Sequence, residues 1–157
     1  MLNVVLFEPE IPGNTGNIMR TCVATNTTLH LIKPLGFSLD EKYIKRSGVN
    51  YIEEFFSKNK GEYFFFTRYG HKPHSTVNFN QIKNNIYLIF GKESTGIPKE
   101  ILKPYLDRCY RIPMTANVRA LNLSNTVAIG IYEVLRQKNY EGLLFDEPHK
   151  SKTFLED

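Results

Sequence analysis

Ile112-Pro-Met-Thr-Ala-Asn-Val-Arg-Ala-Leu-Asn-Leu-Ser-Asn125 joins an apolar strand end to an apolar helix through a polar loop. Tyr110 to Ile112 reads as the strand end, Pro113 stops it, and an Asn/Ser cluster at 122–125 opens the helix. Between them the backbone N–H and C=O groups belong to neither element and stay free. Free backbone beside buried apolar side chains suits a small polar cofactor.

The same alternation runs outward along the chain. Apolar strands are expected at Leu2 to Phe7, Thr28 to Ile32, Tyr63 to Thr67, Ile86 to Phe90 and Cys109 to Ile112. Helices are expected from Ile18 to Ala24, from a Ser38–Glu41 capping box to Arg46, over Ile52 to Lys58, near Lys99 to Leu106, and from Leu123 to Lys138. Strands apolar throughout, alternating with helices, indicate an α/β fold with a parallel sheet flanked by helices on both faces. Ligands of such sheets bind beyond the carboxyl ends of the strands. The post-strand segments 9–17, 67–74, 91–98 and 113–122 are therefore the candidate site-formers.

With 157 residues the chain is read as one domain over 1–150, and 151–157 as a disordered tail. A hydrophobic content of 41% with 23% charged residues describes a globule, and no apolar run approaches the ~20 residues of a membrane span. The N-terminus lacks the basic start and small-residue cleavage site of a signal peptide. Cys22 and Cys109 provide neither a disulfide framework nor metal-ligand spacing. Cytoplasmic residence, with no membrane and no metal, is the expectation. The net charge of +4 permits an anionic partner such as RNA without establishing one.

Gly91-Lys92 is not a P-loop, because Ile86 stands where the first Gly belongs and Glu93 where Ser or Thr belongs. Gly13-Asn-Thr-Gly16 lacks the dinucleotide-binding spacing. His71 and His74 have no Cys or acidic partner nearby for a zinc site.

Three segments remain. Asn14-Thr-Gly-Asn17 is followed by Arg20, with Gly16 allowing an unusual backbone angle or a close approach; Asn14 and Asn17 also suit turns or caps, and Arg20 a solvated helix face. Leu88-Ile-Phe-Gly-Lys-Glu-Ser-Thr-Gly-Ile-Pro98 ends a buried strand in a polar loop. The third is the 112–125 stretch itself. In this order, with the opening Leu2-Asn-Val-Val-Leu-Phe-Glu-Pro-Glu-Ile-Pro12, Pro34-Leu-Gly-Phe37 and Leu121-Asn-Leu-Ser-Asn125…Tyr132-Glu133, they resemble the SpoU/TrmH branch of the SPOUT methyltransferases, and within it the small TrmL (YibK) type. The likeness covers roughly residues 1–145, and, as in the TrmL type, no RNA-binding extension is expected before Met1.

The resemblance implies an α/β fold with a C-terminal trefoil knot. It implies transfer of a methyl group from S-adenosylmethionine to the ribose 2′-hydroxyl of the wobble nucleotide, cytidine or uridine 34, in the anticodon region of leucine tRNAs. Carried over by motif, the cofactor residues are Phe66, Thr67, Gly91, Ile112, Met114, Ala120 and Leu121, with Phe66 and Ile112 flanking the adenine and Ala120 acting through backbone. Arg20 is the family's key catalytic position, and Asn14, Glu93 and Ser124 complete the polar site, Glu93 orienting Arg20. A guanidinium stays protonated, so binding the neighbouring phosphate or stabilising an alkoxide suits Arg20 better than acting as a base. Asn122 and Asn125 either cap the last helix or touch substrate. Arg119, Arg46 and Lys72, with Lys42, Lys45 and Arg68, are the candidate RNA-phosphate contacts. The family assembles as a homodimer whose sites use both subunits, and the helix after Leu123 is a candidate interface. The same chemistry on another tRNA position or on rRNA, and a non-catalytic RNA-binding module, are the alternatives.

Overall fold

The computed structural model describes residues 1–157, save the side chains of Lys45 and Arg46, so the expectation for Arg46 lies outside the described residues. Seven strands form one sheet: β1 (Leu2–Phe7), β2 (Thr28–Ile32), β3 (Gly48–Asn50), β4 (Glu62–Phe66), β5 (Lys72–Pro73), β6 (Ile86–Phe90) and β7 (Cys109–Arg111). Their order is β3-β2-β1-β6-β4-β7-β5. Every pairing is parallel. The helices are α1 (Pro12–Ala24), α2 (Glu41–Arg46), α3 (Ile52–Lys58), α4 (Lys99–Leu102) and α5 (Leu123–Gln137).

The central strands are buried on both faces, and their side chains alternate between two cores. Val4, Leu6, Phe64, Phe66, Ile86, Leu88 and Phe90 point to one side, where Ile18 and Cys22 of α1 and Val127, Ile131, Val134 and Leu135 of α5 cover them. Val5, Phe7, Phe65, Tyr87 and Ile89 point to the other, under Phe55 of α3 and Leu102 of α4. This is the expected parallel α/β sheet with helices on both faces.

The local differences have physical causes. Helix α1 starts at Pro12 rather than Ile18, so Gly13, Asn14, Thr15, Gly16 and Asn17 are helical. Gly16 consequently has an ordinary backbone angle, and a Cβ there would meet nothing within 4 Å; neither strain nor close approach explains it. The Ser38–Glu41 capping box does not form: α2 begins at Glu41 after Asp40, with no side-chain cap bond. The helix after Pro98 is α only to Leu102, and Pro104 sits at the start of the 3₁₀ segment Lys103–Arg108. Strands β3 and β5 lie outside the sequence expectations, being a three-residue and a two-residue edge strand without full burial.

Candidate active site

The chain runs outward from β1 to β3 and returns to place β6 against the other side of β1. The carboxyl ends of β6, β4 and β7 then stand side by side, with Phe66 level with Phe90 and with Tyr110. Beyond them lies a cleft of about 640 Å³. Its lining includes Phe66, Thr67, Gly91, Ile112, Met114, Ala120 and Leu121, so the whole expected cofactor set converges here. Asn14, Glu93 and Arg119 join it.

Phe66 and Phe90 stack with centroids 4.6 Å apart and form an apolar floor. Gly130 of α5 lets the helix settle onto these rings; a Cβ there would lie 3.2 Å from Phe90 and 3.3 Å from Phe66. Gly91 turns the chain out of β6, and a Cβ on it would fall 2.3 Å from the carbonyl carbon of Gly96. The loop folds back so tightly that Lys92 and Gly96 form a bridge, with Gly96 at φ +73°. Across the cleft, residues 113–121 make no backbone–backbone hydrogen bond among the described residues. Apart from the Asn117 N–H, which donates to Thr115 Oγ1 at 3.4 Å, that wall therefore presents free N–H and C=O groups, as the sequence implies.

Glu93 reaches back to the start of α1, which has no side-chain cap and no acidic residue in its first turn. Its carboxylate accepts from the Glu10 and Ile11 N–H groups, both at 2.9 Å, and from Asn14 Nδ2 at 3.1 Å. It thus supplies the anion that the positive helix end favours. Ser94 N–H and Oγ answer by donating to Glu10 Oε1 at 2.9 and 2.6 Å, which holds the Glu10 carboxyl below its usual range. Lys92 Nζ pairs with Glu8 at 3.2 Å. Three links across more than eighty residues thereby clasp the β1–α1 and β6–α4 loops together. Asn14 Oδ1 accepts from Asn122 Nδ2 at 3.1 Å, extending the clasp to α5.

The expected polar set is divided. Glu93 holds the α1 terminus rather than orienting Arg20. Asn122 is the α5 N-cap: its Oδ1 accepts from Ser124 N–H at 2.9 Å and Asn125 N–H at 3.3 Å. Ser124 Oγ donates to the same oxygen at 2.6 Å, so its hydroxyl proton is committed to the cap. Arg20 lies elsewhere. Six residues separate it from Asn14, which at 100° per residue turns it to another face of α1. Asn14 is buried and Arg20 exposed. Arg20 lines a second concavity of about 810 Å³ with Met19, Val23, Leu39 and Tyr43. Cys22 beside it is no nucleophile, since burial pushes its thiol up to about 12.

Among the expected RNA contacts, Arg119 lines the cleft mouth. Lys72 lies on edge strand β5, its Nζ donating to the Asp107 carbonyl at 3.0 Å. Arg68, Tyr69 and Arg111 also line the mouth. Sequence reasoning passes over Tyr69 and Arg111; the available signal for Arg111 is a cation at the carboxyl end of a parallel strand.

Residues 1–132 match the SpoU rRNA Methylase family. A Bacillus subtilis relative, provisionally named a tRNA (cytidine(34)-2′-O)-methyltransferase, is 51% identical over 154 residues, covering 90% of this chain and 96% of its own. A Yersinia pestis tRNA (cytidine(34)-2′-O)-methyltransferase is 43% identical over 165 residues, covering 94% of this chain and 100% of its own. A solved structure reported for the 2′-OH methylation of C/U34 on tRNA superposes with a TM-score of 0.77 at 34% identity, covering 88% of this chain and 91% of that one. The sequence match spans both walls of the cleft, and the resemblance read from the motifs is borne out: the chain belongs to the SpoU rRNA methylase family.

Proposed function

We propose that this chain transfers a methyl group from S-adenosylmethionine to the ribose 2′-hydroxyl of nucleotide 34, cytidine or uridine, in tRNA, and that leucine tRNAs are its substrates; the Yersinia pestis relative's name gives 2′-O-methylation of cytidine 34 in tRNA for that enzyme. One observation carries the reading: the three post-strand segments meet in one cleft of about 640 Å³, with an aromatic floor and a wall of free backbone groups. That size falls within the ~300–1,000 Å³ of small-molecule sites. Phe66, Ile112, Met114 and Leu121 give apolar walls for an adenosine, and Ala120 and its neighbours offer backbone donors and acceptors to its polar edges. The cofactor, when bound, supplies a methyl group activated on a sulfonium.

With S-adenosylmethionine held by the cleft residues, the ribose oxygen would gain the methyl group, the sulfonium would leave as a neutral thioether, and the hydroxyl proton would pass to solvent water. The chain's task is to hold the ribose in line and stabilise the oxygen as it loses that proton. In this reading Arg20 grips the adjoining phosphate or the developing alkoxide, Asn14 shapes the polar site through its bonds to Glu93 and Asn122, and Arg119 and Lys72 contact phosphates. Arg20 lines a different concavity from the cofactor residues of its own chain, so the proposal includes a homodimer in which Arg20 of one copy serves the cleft of the other. The exposed apolar residues Val23 of α1 and Ile129 and Tyr132 of α5 fit such an interface. The proposal also includes a trefoil-knotted threading of the C-terminal part, a single domain over 1–150 and residence in the cytoplasm.

The test is incubation of purified protein with tRNA or rRNA and methyl-labelled cofactor, followed by mapping of the labelled nucleotide. Label at ribose 34 of leucine tRNAs is expected. Label on rRNA alone, or on none, overturns the reading. For the dimer, mixing an Arg20→Ala protein with a variant disabled in the cofactor loop is expected to restore activity; mixtures that stay inactive despite subunit exchange overturn the shared site.

A further inference from the structure

The turn after β4 has no part in the cofactor walls beyond Thr67, yet it is built with care. Gly70 N–H donates to the Thr67 carbonyl at 3.1 Å. Tyr69 N–H donates to Thr67 Oγ1 at 3.2 Å. A Cβ on Gly70 would stand 2.6 Å from the Tyr110 carbonyl carbon, so the turn is pressed against β7 with no room for a side chain. The two side chains left, Arg68 and Tyr69, are displayed at the cleft mouth. Tyr69 is 70% exposed, and the Arg68 guanidinium lies 5.5 Å from its ring. Arg111 fixes the turn from β7 by donating to the Arg68 carbonyl at 2.8 Å.

The charge around this ring is one-sided. Arg68, Arg111 and Arg119 all line the mouth, and none has an ion-pair partner among the described residues. Lys92 is neutralised by Glu8. Glu93, the one carboxylate of the lining, is committed to the α1 terminus. A flat, exposed aromatic ring on a rigid turn among unpaired guanidiniums suits an unstacked base flanked by phosphates. Guanidinium planes add stacking of their own.

We propose that Tyr69, flanked by Arg68 and Arg111, is a stacking platform for the base of a nucleotide adjoining the one that is methylated, with the guanidiniums on the neighbouring phosphates. The platform rests on the RNA-methylating reading above and makes Tyr69 a positioning residue. It fixes where the single strand crosses the cleft mouth, and it is indifferent to base identity because every base has a π-face.

Steady-state kinetics of Tyr69→Ala and Tyr69→Phe test it, with RNA varied at saturating cofactor and the reverse. Loss of the platform is expected to raise KM for RNA about five-fold to about a hundred-fold in Tyr69→Ala. The cofactor KM and kcat should hold, and Tyr69→Phe should restore RNA KM to within about two-fold of wild type, as a stacking ring requires. Arg111→Gln should lower the slope of log KM against log salt by about 0.7, the value for one single-strand phosphate. An unchanged RNA KM in Tyr69→Ala, an equal loss in Tyr69→Phe, or a rise in cofactor KM instead overturns the platform alone. If wild-type protein methylates no RNA, the functional reading fails and the platform with it. Because Tyr69 is exposed, both variants should melt with wild type, which separates the effect from misfolding.

Discussion

Removing the Glu93 carboxylate should unfasten the clasp that holds α1 against the cleft. In Glu93→Ala three hydrogen bonds vanish, two from backbone N–H groups and one from Asn14. Bonds to a charged acceptor contribute about 1.5–3 kcal/mol each when water cannot replace them. The Ile11 N–H is exposed and regains most of its share from water, whereas the Glu10 and Asn14 donors are part-buried. The favourable helix-end electrostatics is largely the same interaction and is not counted twice. About 2–3 kcal/mol is thus expected for Ala, and about half that for Gln, which keeps one acceptor oxygen but turns an amide donor towards an N–H. For a chain of this size each kcal/mol moves Tm by about 2–4 °C, which gives a drop of roughly 5–10 °C for Ala and roughly 3–5 °C for Gln. Thermal unfolding by circular dichroism measures this, and amide exchange at Glu10 and Ile11 localises it. An Ala variant melting within about 1 °C of wild type, or a Gln variant as damaged as Ala, would refute the argument that Glu93 is a structural anion here.

Gly91→Ala drives a Cβ to 2.3–2.5 Å from the Gly96 and Ile97 backbone, which cannot rotate away; a loss at or above the ~3 kcal/mol upper end of overpacking costs is expected, with weakened cofactor binding by calorimetry. Near-normal stability and affinity together would show that the loop does not need this turn. Arg20→Lys should leave Tm unchanged, since the side chain is exposed, yet cut kcat/KM by ten-fold or more, because an ammonium cannot make the planar two-point contact to a phosphate (about 1.4 kcal/mol or more of lost stabilisation). Retained turnover would remove Arg20 from the centre of the reaction. His30 is buried, with Nε2 against Asn3 Oδ1 at 3.0 Å and Nδ1 unpartnered, and burial lowers its pKa from the ordinary 6.5. The unfolded chain therefore takes up that proton first, and stability should fall as pH drops below about 6.5 towards the lower folded value. Urea midpoints from pH 8 to 5 should fall less steeply in His30→Gln, and parallel curves would contradict this.

What the sequence discloses and withholds follows from how each feature is encoded. Strands β1, β4 and β6 are legible because both their faces are covered, which leaves continuous apolar runs. The edge strands Gly48–Asn50 and Lys72–Pro73 are not, because an edge strand of two or three residues has no pattern to repeat. The cleft wall at 113–121 is legible as a gap between two strong signals. The first turn of α1 is hidden because its anion comes from Glu93, some eighty residues away, and glycines 13 and 16 argue locally against a helix. Motif proximity suggests that Asn14 and Arg20 act together, whereas helical phase parts them into two concavities.

That parting divides the labour of the reaction in the proposed mechanism. One wall of the cofactor cleft offers mainly backbone, so its side chains can vary while the binding surface stays the same. The acceptor side depends on the guanidiniums of Arg20, Arg68, Arg111 and Arg119, whose identity and placement cannot vary in that way. As proposed, those groups contact phosphates while the Tyr69 ring takes a base face, so together they position the strand and leave sequence choice open. Selection of one nucleotide then has to come from the shape that the RNA must take to cross Tyr69 and reach the methyl donor. An anticodon loop, with its bases already splayed, pays less to adopt that path than a paired helix does.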